Sequence, residues 1–189
     1  MVGDPHDLIP VANARQISMK KHLLSATGAA LFALSFTLHA ADVERQIEVA
    51  RRGADVMPFS RKATTHIFTK TGDGGTQRIV ANDAADEQQI RLVREHLHNM
   101  QVQFQKGDFS GPSHIHGTDM PGLAQLKATK PGEIAISYQD VDGGAKLSYR
   151  TADARVISAL HAWFDAQIAD HGADAMAGHQ HHHDEFPKQ

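Results

Sequence analysis

The chain has 189 residues, 19 Lys and Arg against 22 Asp and Glu, a formal net charge of −3 and no cysteine. Its basic residues gather into no phosphate-neutralising patch, which argues against nucleic acid as a partner. Without thiols, it has neither a disulfide framework nor a thiolate that could act as nucleophile or metal ligand.

In chain order, residues 1–18 match neither a signal nor a core and read as an upstream extension, with Met19 as the expected start. Residues 19–40 read as a signal peptide. Met19-Lys20-Lys21-His22 is basic, Leu23 to Leu38 is almost free of charge, and His39-Ala40-Ala41 ends in small residues. The competing reading is an uncleaved anchor, because the apolar run approaches the roughly 18 residues at which a spanning helix becomes possible. Ser25, Thr27, Ser35 and Thr37 dilute that run and favour the signal. Cleavage after Ala40 leaves 149 residues and removes Arg15, Lys20 and Lys21 with Asp4 and Asp7, so the charge moves from −3 to −4. The expectation is one domain in the periplasm or secreted, with no stable membrane insertion after cleavage.

Residues 41–60 form a lead-in segment, with a short polar helix over 41–54 that Gly53 and Pro58 break. Residues 61–174 form the domain proper, and its elements repeat. The strands Thr64 to Thr69 and Thr76 to Val80 flank Gly72-Asp73-Gly74-Gly75; later, Glu133 to Val141 and Ala145 to Arg150 flank Asp142-Gly143-Gly144. Glycine supplies positive φ cheaply in such hairpin turns. Each hairpin leads into a helix behind a candidate aspartate cap, Asp83 or Asp153. Ile90, Val93, Leu97, Met100 and Phe104 fall at helical spacing in the first helix; Val156, Leu160, Trp163 and Ile157, Phe164, Ile168 make a broader face in the second. Glycines 107 and 172 end the two helices. The expected fold is therefore α+β: two ββα units forming a two-layer sandwich of antiparallel hairpins under two helices. Between them, residues 105–132 make a long connection, with one helical stretch near Leu123 to Lys127 and with Phe109, Ile115, Met120 and Leu123 as packing residues. Residues 175–189 read as a His-rich flexible tail.

Histidine is the compositional anomaly, with 14 in the chain. Neutral imidazole is a common ligand for transition metals, and histidine-rich tracts read as metal-binding. The tail residues His179, His181, His182 and His183, next to Asp184 and Glu185, could wrap a cation without a preformed cavity. His114 and His116 are the second candidate pair: in an extended segment they point the same way, with Asp108, Asp119 and Met120 close by as further donors. Carboxylate would suit zinc and thioether would suit monovalent copper. On helices, His96 with Met100, and His161 with Asp165, are four apart and share a face. His98 cannot join His96 on one ion. His66 reads as a half-buried strand residue, and His171 as a charged imidazole at a helix C-terminus, where the dipole favours it. No G-x-S-x-G nucleophile setting occurs.

The stretches Thr64-Thr65-His66-Ile67-Phe68, Gly107-Asp108-Phe109, His116-Gly117, Met120-Pro121-Gly122-Leu123 and Leu160-His161-Ala162-Trp163-Phe164-Asp165-Ala166-Gln167 resemble a group of small exported bacterial proteins without a settled function. Members sometimes carry the label aspartate carbamoyltransferase. Ser148-Tyr149-Arg150-Thr151-Ala152 looks like part of a transcarbamoylase phosphate motif, but Ala152 stands where its final arginine would be, and the stretch lies on a strand. The resemblance implies export and one domain, and no reaction. The function expected is exported metal binding, in buffering, carriage or sensing, with copper or zinc as the ion. The rival expectation is a small metal-dependent hydrolase whose site is lined by the 108–122 loop.

Overall fold

Two hairpins fold on two-residue turns, and their second strands meet at the centre of one sheet. In the computed structural model, which describes residues 42–179, β1 (Thr64–Thr71) pairs antiparallel with β2 (Gly74–Ala81) around Gly72-Asp73. β3 (Ala135–Val141) pairs with β4 (Gly144–Arg150) around Asp142-Gly143. β2 and β4 pair antiparallel, and a short β5 (Ala175–Ala177) runs parallel to β1, giving the order β3-β4-β2-β1-β5. The chain is thus α+β, with a mixed five-stranded sheet and, among the described residues, five α-helices: α1 (residues 42–53), α2 (Glu87–Gln105), α3 (Ser110–His116), α4 (Leu123–Lys127) and α5 (Ala154–His171). The signal segment 19–40, the extension before it, and His181, His182 and His183 lie outside the described residues. No helix among the described residues is long and apolar enough to cross a membrane.

The repeat read from the sequence is present in the strand register. Adding 70 to each residue number carries every pair of the first hairpin but the terminal Thr64↔Ala81 onto a pair of the second: Thr65↔Val80 becomes Ala135↔Arg150, and Thr71↔Gly74 becomes Val141↔Gly144. The same shift exchanges the ends of the central β2–β4 ladder, Gly74↔Arg150 and Val80↔Gly144. Gly74 and Gly144, equivalent under this shift, permit the close approach. A Cβ at Gly74 would lie 2.0 Å from the Tyr149 carbonyl oxygen, and one at Gly144 would lie 2.0 Å from that of Ile79.

Strand alternation sorts the side chains by face. Thr64, His66 and Phe68 of β1, Gln77 and Ile79 of β2, and Ala145, Leu147 and Tyr149 of β4 are buried. Their neighbours Thr65, Ile67, Arg78, Val80, Lys146 and Ser148 are only half-covered. Trp163 of α5 is fully buried, edge-on to Phe104, Phe109 and Tyr149 at centroid distances of 6.1, 6.4 and 6.1 Å, the geometry aromatic quadrupoles prefer.

Several local expectations change. The cap of α2 is Asp86, which accepts from the Gln89 amide at 3.1 Å; Asp83 instead closes the preceding turn through the Ala85 amide at 2.9 Å. Asp153 does cap α5, accepting from the Arg155 amide at 2.8 Å. The lead-in segment belongs to the core, since Val49, Met57 and Phe59 are buried in it. Residues 110–116 form a helix rather than an extended segment. Phe109, Ile115, Met120 and Leu123 are all buried.

Candidate functional site

Among the described residues, the buried polar groups gather where α3, the C-terminal end of α5 and the middle of β1 meet. His66 comes from β1, His116 ends α3, and Asp170 and His171 end α5; all four are at most 7% exposed. The His66 and His171 rings stack at 4.6 Å between centroids, and His116 meets His171 edge-on at 5.2 Å. Asp170 is spent on orientation. Its carboxylate lies 2.7 Å from His116 Nδ1 and accepts two bonds from the Arg45 guanidinium, each 2.8 Å long. Arg45 also donates to the His116 carbonyl oxygen at 2.7 Å, so α1 ties the end of α3 to the end of α5.

The electrostatics fix protonation states. Burial alone would raise the Asp170 carboxyl, but the hydrogen bonds and charges of His116 and Arg45 outweigh it and hold the group below its usual value. An ionised carboxylate only accepts, so His116 carries a proton on Nδ1 and donates it to Asp170. Burial, seconded by the neighbouring cationic positions, pushes His66 down to about 3 and His171 well below 6.5; burial pushes His96 to about 4. At neutral pH these three rings are uncharged. His171 is therefore not the protonated end of a helix dipole, and His66 is fully rather than half buried.

Both ring nitrogens of His66 and Nδ1 of His171 find no hydrogen-bond partner in the protein. An unmade bond to a buried polar group costs about 1–3 kcal/mol, and such a group calls for an explanation, an ion being one. A cavity of about 190 Å³ adjoins them, lined also by His96, Met57, Met100, Gln77, Gln167 and part of α3.

Of the sequence-predicted ligands among the described residues, His114, His116 and His179, only His116 lies in this cluster. His114 and His116 are two apart on a helix and diverge, because successive residues turn about 100°. His114 points to the surface, half exposed, with Nε2 3.1 Å from Asp55. The pair therefore does not hold one ion. Asp108 accepts from the Ser110 amide at 2.9 Å, and Met120 is buried away from the cavity lining. His161 lies 2.8 Å from the Gly74 carbonyl and 3.1 Å from that of Thr71, bracing the first hairpin turn, while Asp165 pairs with Lys70. His179 is exposed.

Sequence reasoning missed His66 and His171 as partners, since they are 105 positions apart and nothing local marks them. The legible signal was the pairing of His96 with Met100, which do share the cavity.

As to fit for a metal, two imidazoles on one tetrahedral ion, with nitrogen–metal distances of about 2.0 Å, have ring centres about 5 Å apart. The observed spacings are 4.6 and 5.2 Å, with the His66 and His171 planes stacked 29° apart and His116 edge-on to His171 at 74°. Among the described residues no group of three His, Asp or Glu side chains is placed to hold a metal ion. Comparison with protein-family models, with curated proteins and with solved structures returned no match.

Proposed function

We propose that the protein is an exported transition-metal-binding protein whose site is the buried set His66, His116 and His171. In this reading the site is carried by two ββα units stacked as a two-layer sandwich, and the basic-apolar-small run of residues 19–40 directs export. The orphaned nitrogens of His66 and His171 carry the proposal: neutral, partnerless imidazoles facing a cavity are what a ligand set looks like without its ion. Asp170 supports His116 as an outer carboxylate that selects its tautomer, as carboxylates commonly do for metal-bound histidines. The tail histidines His179, His181, His182 and His183 would be an accessory capture segment.

The test uses the full chain with those four tail histidines replaced by alanine. Titrating zinc, copper and nickel into it at neutral pH by calorimetry should give one site tighter than about micromolar. His66→Ile should abolish that site and keep the protein folded. Absence of any ion bound at that strength, or unchanged binding in His66→Ile, would overturn the proposal.

The hydrolase reading keeps one observation in its favour. A cavity of about 190 Å³ is larger than an ion needs, and Gly111, Pro112, Ile115 and His116 of the 108–122 segment line it. Metal-dependent turnover of small esters, lost in His66→Ile, would favour that reading over simple carriage.

A further inference from the structure

The cavity residues also bear on which ion the site takes. Its nitrogen and sulfur donors are the imidazoles of His66, His96, His116 and His171 and the thioethers of Met57 and Met100, and its oxygen donors are neutral side-chain amides such as those of Gln77 and Gln167. No carboxylate, thiolate, lysine or arginine lines it. Asp170, the nearest acid, is already matched by the Arg45 guanidinium at 2.8 Å. The lining therefore carries no fixed charge.

That neutrality discriminates between ions by charge. The cost of moving an ion from water into a low-dielectric interior scales with the square of its charge. A divalent ion thus meets about four times the penalty of a monovalent one of similar size, with no carboxylate or thiolate to offset it. Donor softness points the same way. Thioether sulfur favours monovalent copper, zinc sites draw on thiolate, imidazole or carboxylate, and hard cations need oxygen. The two methionines are placed for this role: Met100 follows His96 by one helical turn on α2, so both reach the same side of that helix, and Met57 enters from the α1–β1 connection. Both are under 10% exposed. Methionine is also adaptable enough to turn its sulfur toward an ion without disturbing the surrounding packing.

We infer that the histidine cavity is a copper(I) site, in which Met100, Met57 or both complete the imidazole ligand set. This rests on the metal-binding reading above, and its failure is separable from that reading's failure.

The probe is copper(I) itself, titrated under anaerobic reductant into the tail-alanine full chain in competition with the chromogenic chelator bicinchoninate. Zinc is measured on the same protein by calorimetry. The expected result is one copper(I) ion withdrawn from the chelator, bound more tightly than zinc. Met100→Leu or Met57→Leu should weaken copper(I) by about tenfold or more while zinc affinity stays within about threefold. Met-to-Leu exchange conserves volume and costs under about 1.5 kcal/mol, so both variants should fold; thermal unfolding checks this. Zinc bound more tightly than copper(I), or copper(I) affinity unmoved in both single variants and in the double variant, overturns the inference while leaving a metal site in place. Binding of neither ion overturns both the inference and the reading beneath it.

Discussion

In the second hairpin, Ile136 on β3 is 6% exposed and completes the core beside α2 as an ordinary apolar strand residue. Seventy positions earlier, His66 stands at the matching register of β1, is 2% exposed, and has neither ring nitrogen bonded. The same contrast recurs at the centre of the sheet, where Leu147 of β4 faces Gln77 of β2 across the ladder. One half of the repeat uses hydrocarbon where the other uses imidazole and amide. Since the fold accommodates isoleucine at this register, it does not require histidine there, and the unbonded nitrogens lower stability. Groups kept at such a cost are the ones to examine for function.

The largest expected effect is on the pH dependence of stability. His66, His96 and His171 are neutral and buried in the folded protein, with His66 near 3 and His96 near 4 against an ordinary value of 6.5. The unfolded chain therefore binds more protons. Stability is therefore highest above about pH 6.5 and falls as pH drops toward 4, because protons bind the unfolded chain in preference. Thermal unfolding followed by the fluorescence of Trp163, the only tryptophan, should show the midpoint dropping steeply over that window. His66→Ile should flatten the drop, and a midpoint independent of pH between 7 and 4 would break the comparison.

Exchanging the two residues should give opposite signs. Ile136→His removes a buried aliphatic side chain and installs unbonded nitrogens, at a cost of about 3–5 kcal/mol in urea unfolding. His66→Ile should stabilise the metal-free protein by about 1–3 kcal/mol. Destabilisation by His66→Ile would mean that the imidazole is held by contacts an alkyl group cannot replace. The smallest effect concerns the helix starts: Asp86→Ala should cost about 1 kcal/mol and Asp83→Ala only a few tenths, because Asp86 holds the α2 amide. The reverse order would restore the sequence-based cap.

The hairpins, their glycine-containing turns and the apolar faces of α2 and α5 were legible because they are local and periodic. Val93, Leu97, Met100 and Phe104 recur at helical spacing and are the buried residues of α2. β5 was not legible, as three residues, Ala-Met-Ala, carry no alternation and gain their role only by lying along β1. Residues 110–116 read as a loop because Gly111 and Pro112 disfavour a helix interior, whereas their place in the first turn tolerates proline. Reading that segment as extended set His114 beside His116; the helix separates them and delivers His116 alone to His66, His171 and Asp170. That cluster joins β1, α3 and α5 across more than 100 positions, and only the packed chain brings it together.

The most direct test of the central claim is an anomalous-scattering map of metal-loaded crystals of the full chain, collected at the copper and zinc edges. The account predicts an anomalous peak enclosed by His66, His116 and His171 within about 2.0–2.3 Å of ring nitrogens. A peak confined to the tail histidines or to the surface pair His114 and Asp55, with the cavity empty of metal, would contradict it.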